Sequence, residues 1–193
     1  MCCIFICMAF NNVSPILFKW VVQKGGTLKV DGSTNINKFS CKISDYATPD
    51  TIAIYKNEPT KEVLLPMSGK LALDIKTFNC GHAVMTADLR KTLKAKEFPH
   101  LYISFLSLSK LPEIGKTLTN IFGWVEIELA GVKKRFLVNY TFTSVSNKTF
   151  HLKGIQNINF SDFNLTPPRK LGGMIRANER LDVEFQLDLA AIQ

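Results

Sequence analysis

The chain has 193 residues, 46% of them apolar, with a formal net charge of +8, a length that suits one well-buried domain. Its basic residues fall in separate short groups: Arg90, Lys91, Lys94 and Lys96 on a predicted helix, Lys133, Lys134 and Arg135 at a hairpin turn, and Arg169 and Lys170 after Pro167 and Pro168. No zinc finger, helix-turn-helix or paired-aromatic RNA motif accompanies them, which argues against nucleic acid and leaves a solvated surface, with attraction to an anionic membrane or lipid head group as the sharper reading.

Residues 1 to 10, MCCIFICMAF, are almost wholly apolar and then break into Asn11, Asn12 and Pro15. The run is too short to span a bilayer and is similar to the apolar centre of a secretory signal, without a positive start or a clean cleavage site. Residues 1 to 22 are therefore read as a leader-like or N-terminal apolar segment, and 23 to 193 as the domain body. Within the first part, Ile16 to Val22, interrupted by Lys19, reads as a first strand or the end of the leader. A cleaved leader would leave a periplasmic or secreted domain.

Thr27 to Val30 reads as a strand and DGSTN at 31 to 35 as a turn or bulge before Ile36 to Ser44. Residues 45 to 61 form a loop holding a brief strand at Thr51 to Tyr55. From Val63 to Ile75, Met67, Gly69, Leu71, Leu73 and Ile75 share one parity, as a long curved barrel strand with an interior glycine would. Met85, Leu89 and Leu93 recur every four residues and predict a helix over Val84 to Ala95, with a narrow apolar stripe that lies against a sheet. Pro99 ends it, and Leu101, Ile103 and Phe105 resume strand alternation.

The clearest pattern is GWVEIELAGVKKRFLVNYTFT at 123 to 143. Val125, Ile127 and Leu129 point one way and Trp124, Glu126 and Glu128 the other; Phe136, Val138, Tyr140 and Phe142 repeat the alternation after the turn. This is an antiparallel hairpin with one dry face. Thr149 to Phe160 follows, and then Arg180 to Leu189, with Leu181, Val183, Phe185, Leu187 and Leu189 on one side. About eight strands and one helix, with no helices between strands, predict an all-β fold: an antiparallel eight-stranded barrel with one short packed α-helix, or failing that a two-sheet sandwich.

Of five cysteines, Cys2, Cys3 and Cys7 lie in the leader-like stretch, which leaves Cys41 and Cys80 in the body. In an oxidising compartment they form a disulfide; otherwise they are two small buried hydrophobes. His82, His100 and His151 are too few and too scattered for zinc, and Cys80-x-His82 is only a two-ligand fragment. Asp162, Asp182, Glu184 and Asp188 fall mostly opposite the apolar residues of their segments, on the solvent side, where a carboxylate pair has no cleft to serve. The expectation is a non-enzyme without a cofactor or metal. Fourteen Phe against two Trp and four Tyr suits either a strand core or the lining of an apolar cavity.

The segment MTADLRKTLKAKEFPHLYISF at 85 to 105 resembles the bacterial YceI-like, polyisoprenoid-binding proteins with a lipocalin-like barrel. That family has a short helix, often with a Met and an Asp, then a Leu-Lys segment, an aromatic-Pro pair and an alternating strand; here these fall on Met85, Asp88, Leu93, Lys94, Phe98, Pro99, Ile103 and Phe105. The hairpin Trp124 to Val138 with Gly131 at its turn, the pair Asp162 and Phe163, and GSTNINKFSC at 32 to 41 extend the resemblance over about residues 26 to 189. The family's His-Gly turn is Ala130-Gly131 here, and its Asp-Phe-Gly is Asp162-Phe163-Asn164.

The resemblance implies a hydrophobic lumen holding an isoprenoid chain, either a polyisoprenoid or an isoprenoid quinone, outside the cytoplasm. Parity and helical spacing then nominate Met85, Leu89, Phe98, Ile103, Phe105, Val138, Tyr140, Phe163 and Phe185 as lining residues, Tyr140 offering a hydroxyl to a head group and Met85 adapting to an irregular chain. The competing reading is a filled barrel serving as an envelope structural or protein-interaction module. The sequence leaves oligomeric state open.

Overall fold

A computed structural model describes residues 16–55, 64–113 and 119–192. The apolar run at 1 to 10, with Cys2, Cys3 and Cys7, and segments 56–63 and 114–118 lie outside the described residues.

In chain order the strands are β1 (Ile16–Val22), β2 (Gly26–Ser33), β3 (Lys38–Tyr46), β4 (Thr51–Tyr55), β5 (Leu65–Ser68), β6 (Lys70–Asp74), β7 (His100–Phe105), β8 (Ser107–Leu108), β9 (Thr119–Leu129), β10 (Val132–Ser144), β11 (Thr149–Asn159), β12 (Arg169–Lys170), β13 (Ile175–Arg176) and β14 (Arg180–Ile192). One helix, α1 (Ala83–Thr92), precedes β7. All pairings are antiparallel, and twelve strands form one sheet in the order β6-β7-β9-β10-β11-β14-β1-β4-β5-β8, with β2 joining β14 to β3. The run Ile16–Val22 is a strand of this sheet, held between β14 and β4, with Trp20 and Val22 buried.

The sheet is an open, curled half-barrel rather than the closed eight-stranded barrel expected from the pattern. The physical reason is that a strand expected to be continuous is broken and its halves take different partners. The expected strand from 63 to 75 divides at Gly69: β5 pairs with β4 and β8, whereas β6 pairs with β7. A Cβ at Gly69 would lie 3.0 Å from the Thr51 carbonyl oxygen, so only glycine fits this break. The Gly25 turn separates β1 from β2, and both lie along β14. Beyond β7, the Leu106 N–H reaches the Trp124 carbonyl (3.0 Å) and that of Ser109 reaches Phe122 (2.8 Å), laying β8 beside β9.

The seam runs between β3 and β6. It is clipped by paired backbone bonds between Lys42 and Asn79, both 2.9 Å, and by a Cys41–Cys80 disulfide. Tyr46 adds a further tie, its hydroxyl accepting the Ala72 N–H at 3.3 Å.

The hairpin has the alternation read from its sequence. Val125, Ile127 and Leu129 face the core with Phe136, Val138, Tyr140 and Phe142, while Trp124 is 39% exposed. Its two-residue turn places Ala130 at φ 51° and Gly131 at φ 80°, the left-handed pair whose twist matches the flanking strands. Asn164 follows the 3₁₀ turn Phe160–Phe163 at φ 53°, so it fulfils the conformation for which glycine is the commoner choice.

The helix begins and ends earlier than its periodicity suggests: Lys94, at φ 53°, turns the chain left-handed just after the Leu93 cap. Thr86 is its one buried residue and accepts the Cys80 N–H at 3.0 Å, and the Arg90 guanidinium donates to the Phe78 carbonyl at 2.9 Å. These bonds anchor α1 beside the disulfide, at one end of the curl.

Candidate ligand-binding cavity

A cavity of about 280 Å³ opens where α1, the turn after β2 and the β12–β13 hairpin meet. Met85 and Leu89, one helical turn apart, present half-buried side chains from α1. Phe39 and Cys41 enter from β3, at alternate positions that share one face. Cys41 and Phe160 are 1% and 2% exposed and form the floor, whereas Ile36 and Val84, 65% and 57% exposed, stand at the rim.

The polar lining includes His82, Asp88 and Lys170. Lys170 Nζ lies 2.7 Å from the Asp88 carboxylate and so ties the hairpin to the helix. On the other side Asn35 holds the hairpin by three bonds: its Nδ2 donates to the Met174 carbonyl (2.9 Å), its Oδ1 accepts the Arg176 N–H (2.9 Å), and its N–H reaches the Arg176 carbonyl (3.1 Å). The result is a hydrocarbon-walled pocket with charge concentrated in one ion pair.

Of the nine residues nominated from sequence, Met85 and Leu89 line this cavity. Ile103, Phe105, Val138, Tyr140, Phe163 and Phe185 are buried in the sheet core. There Phe185 meets Phe105 and Tyr140 edge-on at centroid distances of 6.4 and 6.0 Å, and Phe163 packs on Phe136 at 6.0 Å. Phe98 is 37% exposed and covers the hairpin turn: a Cβ on Gly131 would come within 2.8 Å of its ring.

Two buried donors in this core have no hydrogen-bond partner among the described residues, the Tyr140 hydroxyl and Trp20 Nε1. Burial pushes the Tyr140 pKa well above the usual phenol range, so the group stays protonated. Rings connect the two residues: Tyr140 packs on Phe142 at 6.3 Å and Phe142 on Trp20 at 5.6 Å. Trp20 also borders a second, mainly apolar cavity of about 380 Å³, with Phe18, Leu111, Pro112 and Phe150.

Sequence reasoning passed over Ile36, Phe39, Val84, Phe160 and Ile175 as lining residues. Ile36 sits in a polar turn and Ile175 in a two-residue strand, neither long enough to show a period. Phe39 carried a signal, since it shares strand parity with Cys41 and Ile43.

The charged groups outside the cavity form surface ties. Lys134 pairs with Asp162, Lys153 with Glu184 at 2.7 Å, and Arg180 with Asp182 at 3.3 Å. His151 lies 2.7 Å from Asp188. Among the described residues there is no catalytic motif, and no three His, Cys, Asp or Glu side chains gather as a metal site. No described helix is long and apolar enough to cross a membrane.

No family model matches the chain, and no curated protein matches it in sequence. Solved structures do match in shape. A polyisoprenoid binding domain from Saccharophagus degradans, implicated in plant cell wall breakdown, superposes with a TM-score of 0.65 at 12% identity, covering 90% of this chain and 98% of that one. BcnA from Burkholderia cenocepacia gives 0.56 at 14% identity, covering 84% and 95%. The chain shares the fold of these two structures, the fold expected from the resemblance carried by residues 26 to 189.

Proposed function

We propose that this protein binds an isoprenoid lipid, a polyisoprenoid or an isoprenoid quinone, without catalysis, and stores or transports it in a periplasmic or secreted setting. The observation that carries this reading is the cavity floored by Phe160 and Cys41 and walled by Phe39, Met85 and Leu89, with charge held in the Asp88–Lys170 pair. Such a lining recognises a chain that offers hydrocarbon and few hydrogen bonds, each buried methylene contributing about 0.8 kcal/mol.

At about 280 Å³ the cavity lies just below the range for ligand pockets, roughly 300–1,000 Å³, and has room for a short prenyl segment. A longer tail continues inward by displacing flexible side chains, Met85 foremost, toward the aromatic core that contains Tyr140. The dense packing around Phe105, Tyr140 and Phe185 favours the second reading, a filled interior in a structural or protein-interaction module.

Native mass spectrometry of the gently purified protein, followed by denaturing extraction, separates the two. A stoichiometric isoprenoid adduct is expected. Protein that is apo as purified and stays apo after incubation with isoprenoid quinones and polyprenols would overturn lipid binding in favour of the filled-interior module.

A further inference from the structure

The geometry points to the rim of this cavity as a docking face for an anionic lipid bilayer, an inference that rests on the lipid-binding reading above. Four large apolar side chains stand exposed here: Ile36 (65%) and Val84 (57%) on the rim itself, and Leu171 (70%) and Met174 (76%) on the adjoining hairpin tip between the lining residues Lys170 and Ile175. They come from three separate chain segments that converge here through the Asn35 bonds to Met174 and Arg176 and the Lys170–Asp88 pair.

The hairpin tip is shaped to present them. Leu171, Gly172 and Gly173 all have positive φ, at 49°, 65° and 96°. The glycines adopt that region freely, but for a bulky leucine it is unfavourable. Leu171 takes it while remaining exposed, so no burial of its side chain offsets the strain.

Cations flank the apolar tip. Arg169 and Arg176 are direct partners across β12–β13, so their side chains leave the same face. Lys38 stands at the base of the neighbouring turn, paired with Ser33. All three are exposed, and no ion pair engages them among the described residues. Asp88 is the carboxylate of the rim, and Lys170 holds it.

Apolar tips that insert below the head groups, ringed by cations that meet anionic phosphates, are the means by which a peripheral protein settles on such a surface. Docking here sets the cavity mouth against the bilayer, so a lipid tail passes between membrane and protein without crossing water. A second exposed apolar group lies on the outer sheet, where Leu137 pairs with Trp124; its neighbouring cations Lys133 and Arg135 are taken up by Glu126 and Glu128, and it serves as the control.

Flotation of the full chain with vesicles tests the face. Wild type is expected to float with vesicles of equal parts phosphatidylcholine and phosphatidylglycerol and not with phosphatidylcholine alone. L171D/M174D and R169E/R176E should each lower the bound fraction's partition coefficient by about tenfold or more, since one cation near an anionic surface contributes roughly fivefold, while L137D floats as wild type. Melting followed by circular dichroism verifies that each variant is folded. Native mass spectra of the same variants should retain the isoprenoid adduct, which distinguishes failed docking from failed lipid binding. Wild type that does not float, or tip variants that float equally, would overturn the inference. So would a dimer in sedimentation that L171D/M174D abolishes, because the face would then belong to a second copy of the chain.

Discussion

Gly154 on β11 stands directly opposite Phe185 on β14, and the Phe185 ring fills the space in front of it: a Cβ on Gly154 would lie 2.3 Å from two ring carbons. The missing side chain is what lets Phe185 lie over the sheet and reach Phe105 and Tyr140 together. Gly154→Ala should drive the ring out of that position and lower stability by about 1–3 kcal/mol, as overpacking does. Urea unfolding measures it; an unchanged midpoint would mean that the ring has room to move.

The Cys41–Cys80 disulfide joins residues 39 apart in sequence and clips the seam beside α1. Replacing both cysteines with serine, or reducing the wild type, should cost about 2–4 kcal/mol, chiefly by freeing the unfolded chain. Because Cys41 floors the cavity, isoprenoid retention in native mass spectra should fall with it. Equal unfolding midpoints with and without reductant would refute a stabilising role.

Tyr140→Phe removes a buried hydroxyl that has no partner in the core. In the lipid-free protein the variant should be as stable as wild type or up to about 2 kcal/mol more stable, because an unsatisfied polar group costs desolvation and returns nothing. Calorimetric melting decides this. A loss of stability would show that the hydroxyl has a partner in solution.

Acid should weaken the fold through its paired carboxylates. Hydrogen bonding from Lys29 holds Asp31 below the usual carboxylate range, and that from Lys153 does the same for Glu184. For Asp162, burial pulls the pKa upward, but Lys134 and the Asn159 N–H together outweigh it and leave a net lowering. A folded-state pKa below the unfolded value means that the contribution is fully present above the unfolded pKa and disappears as pH falls through the folded one. Stability should therefore hold above about pH 5 and decline below about pH 4. Asp162→Asn should reduce the difference between urea midpoints at neutral and acid pH; an identical difference would remove Asp162 from the account.

What the sequence determined by itself is the set of elements whose residues repeat. Val125 to Leu129 and Phe136 to Phe142 alternate strictly, so their inward and outward faces followed from the period of a strand alone. The four-residue spacing of Met85 and Leu89 likewise placed both on one helical face, the face that meets the cavity. Parity also directed Phe105, Tyr140 and Phe185 inward.

Tertiary structure decided what those side chains meet. Phe105, Tyr140 and Phe185 pack on one another because Gly154 leaves room for Phe185, a relation between strands that no local pattern encodes. Gly69 was visible as an interior glycine, but that it divides a strand and hands its halves to different partners depends on the approach of Thr51 from β4. The cavity itself joins Ile36, Met85 and Ile175, residues from a turn, a helix and a short hairpin far apart in the chain. Periodicity reports the environment along one element. A site assembled where three elements converge is set by long-range hydrogen bonds such as those of Asn35, and only the folded chain brings them together.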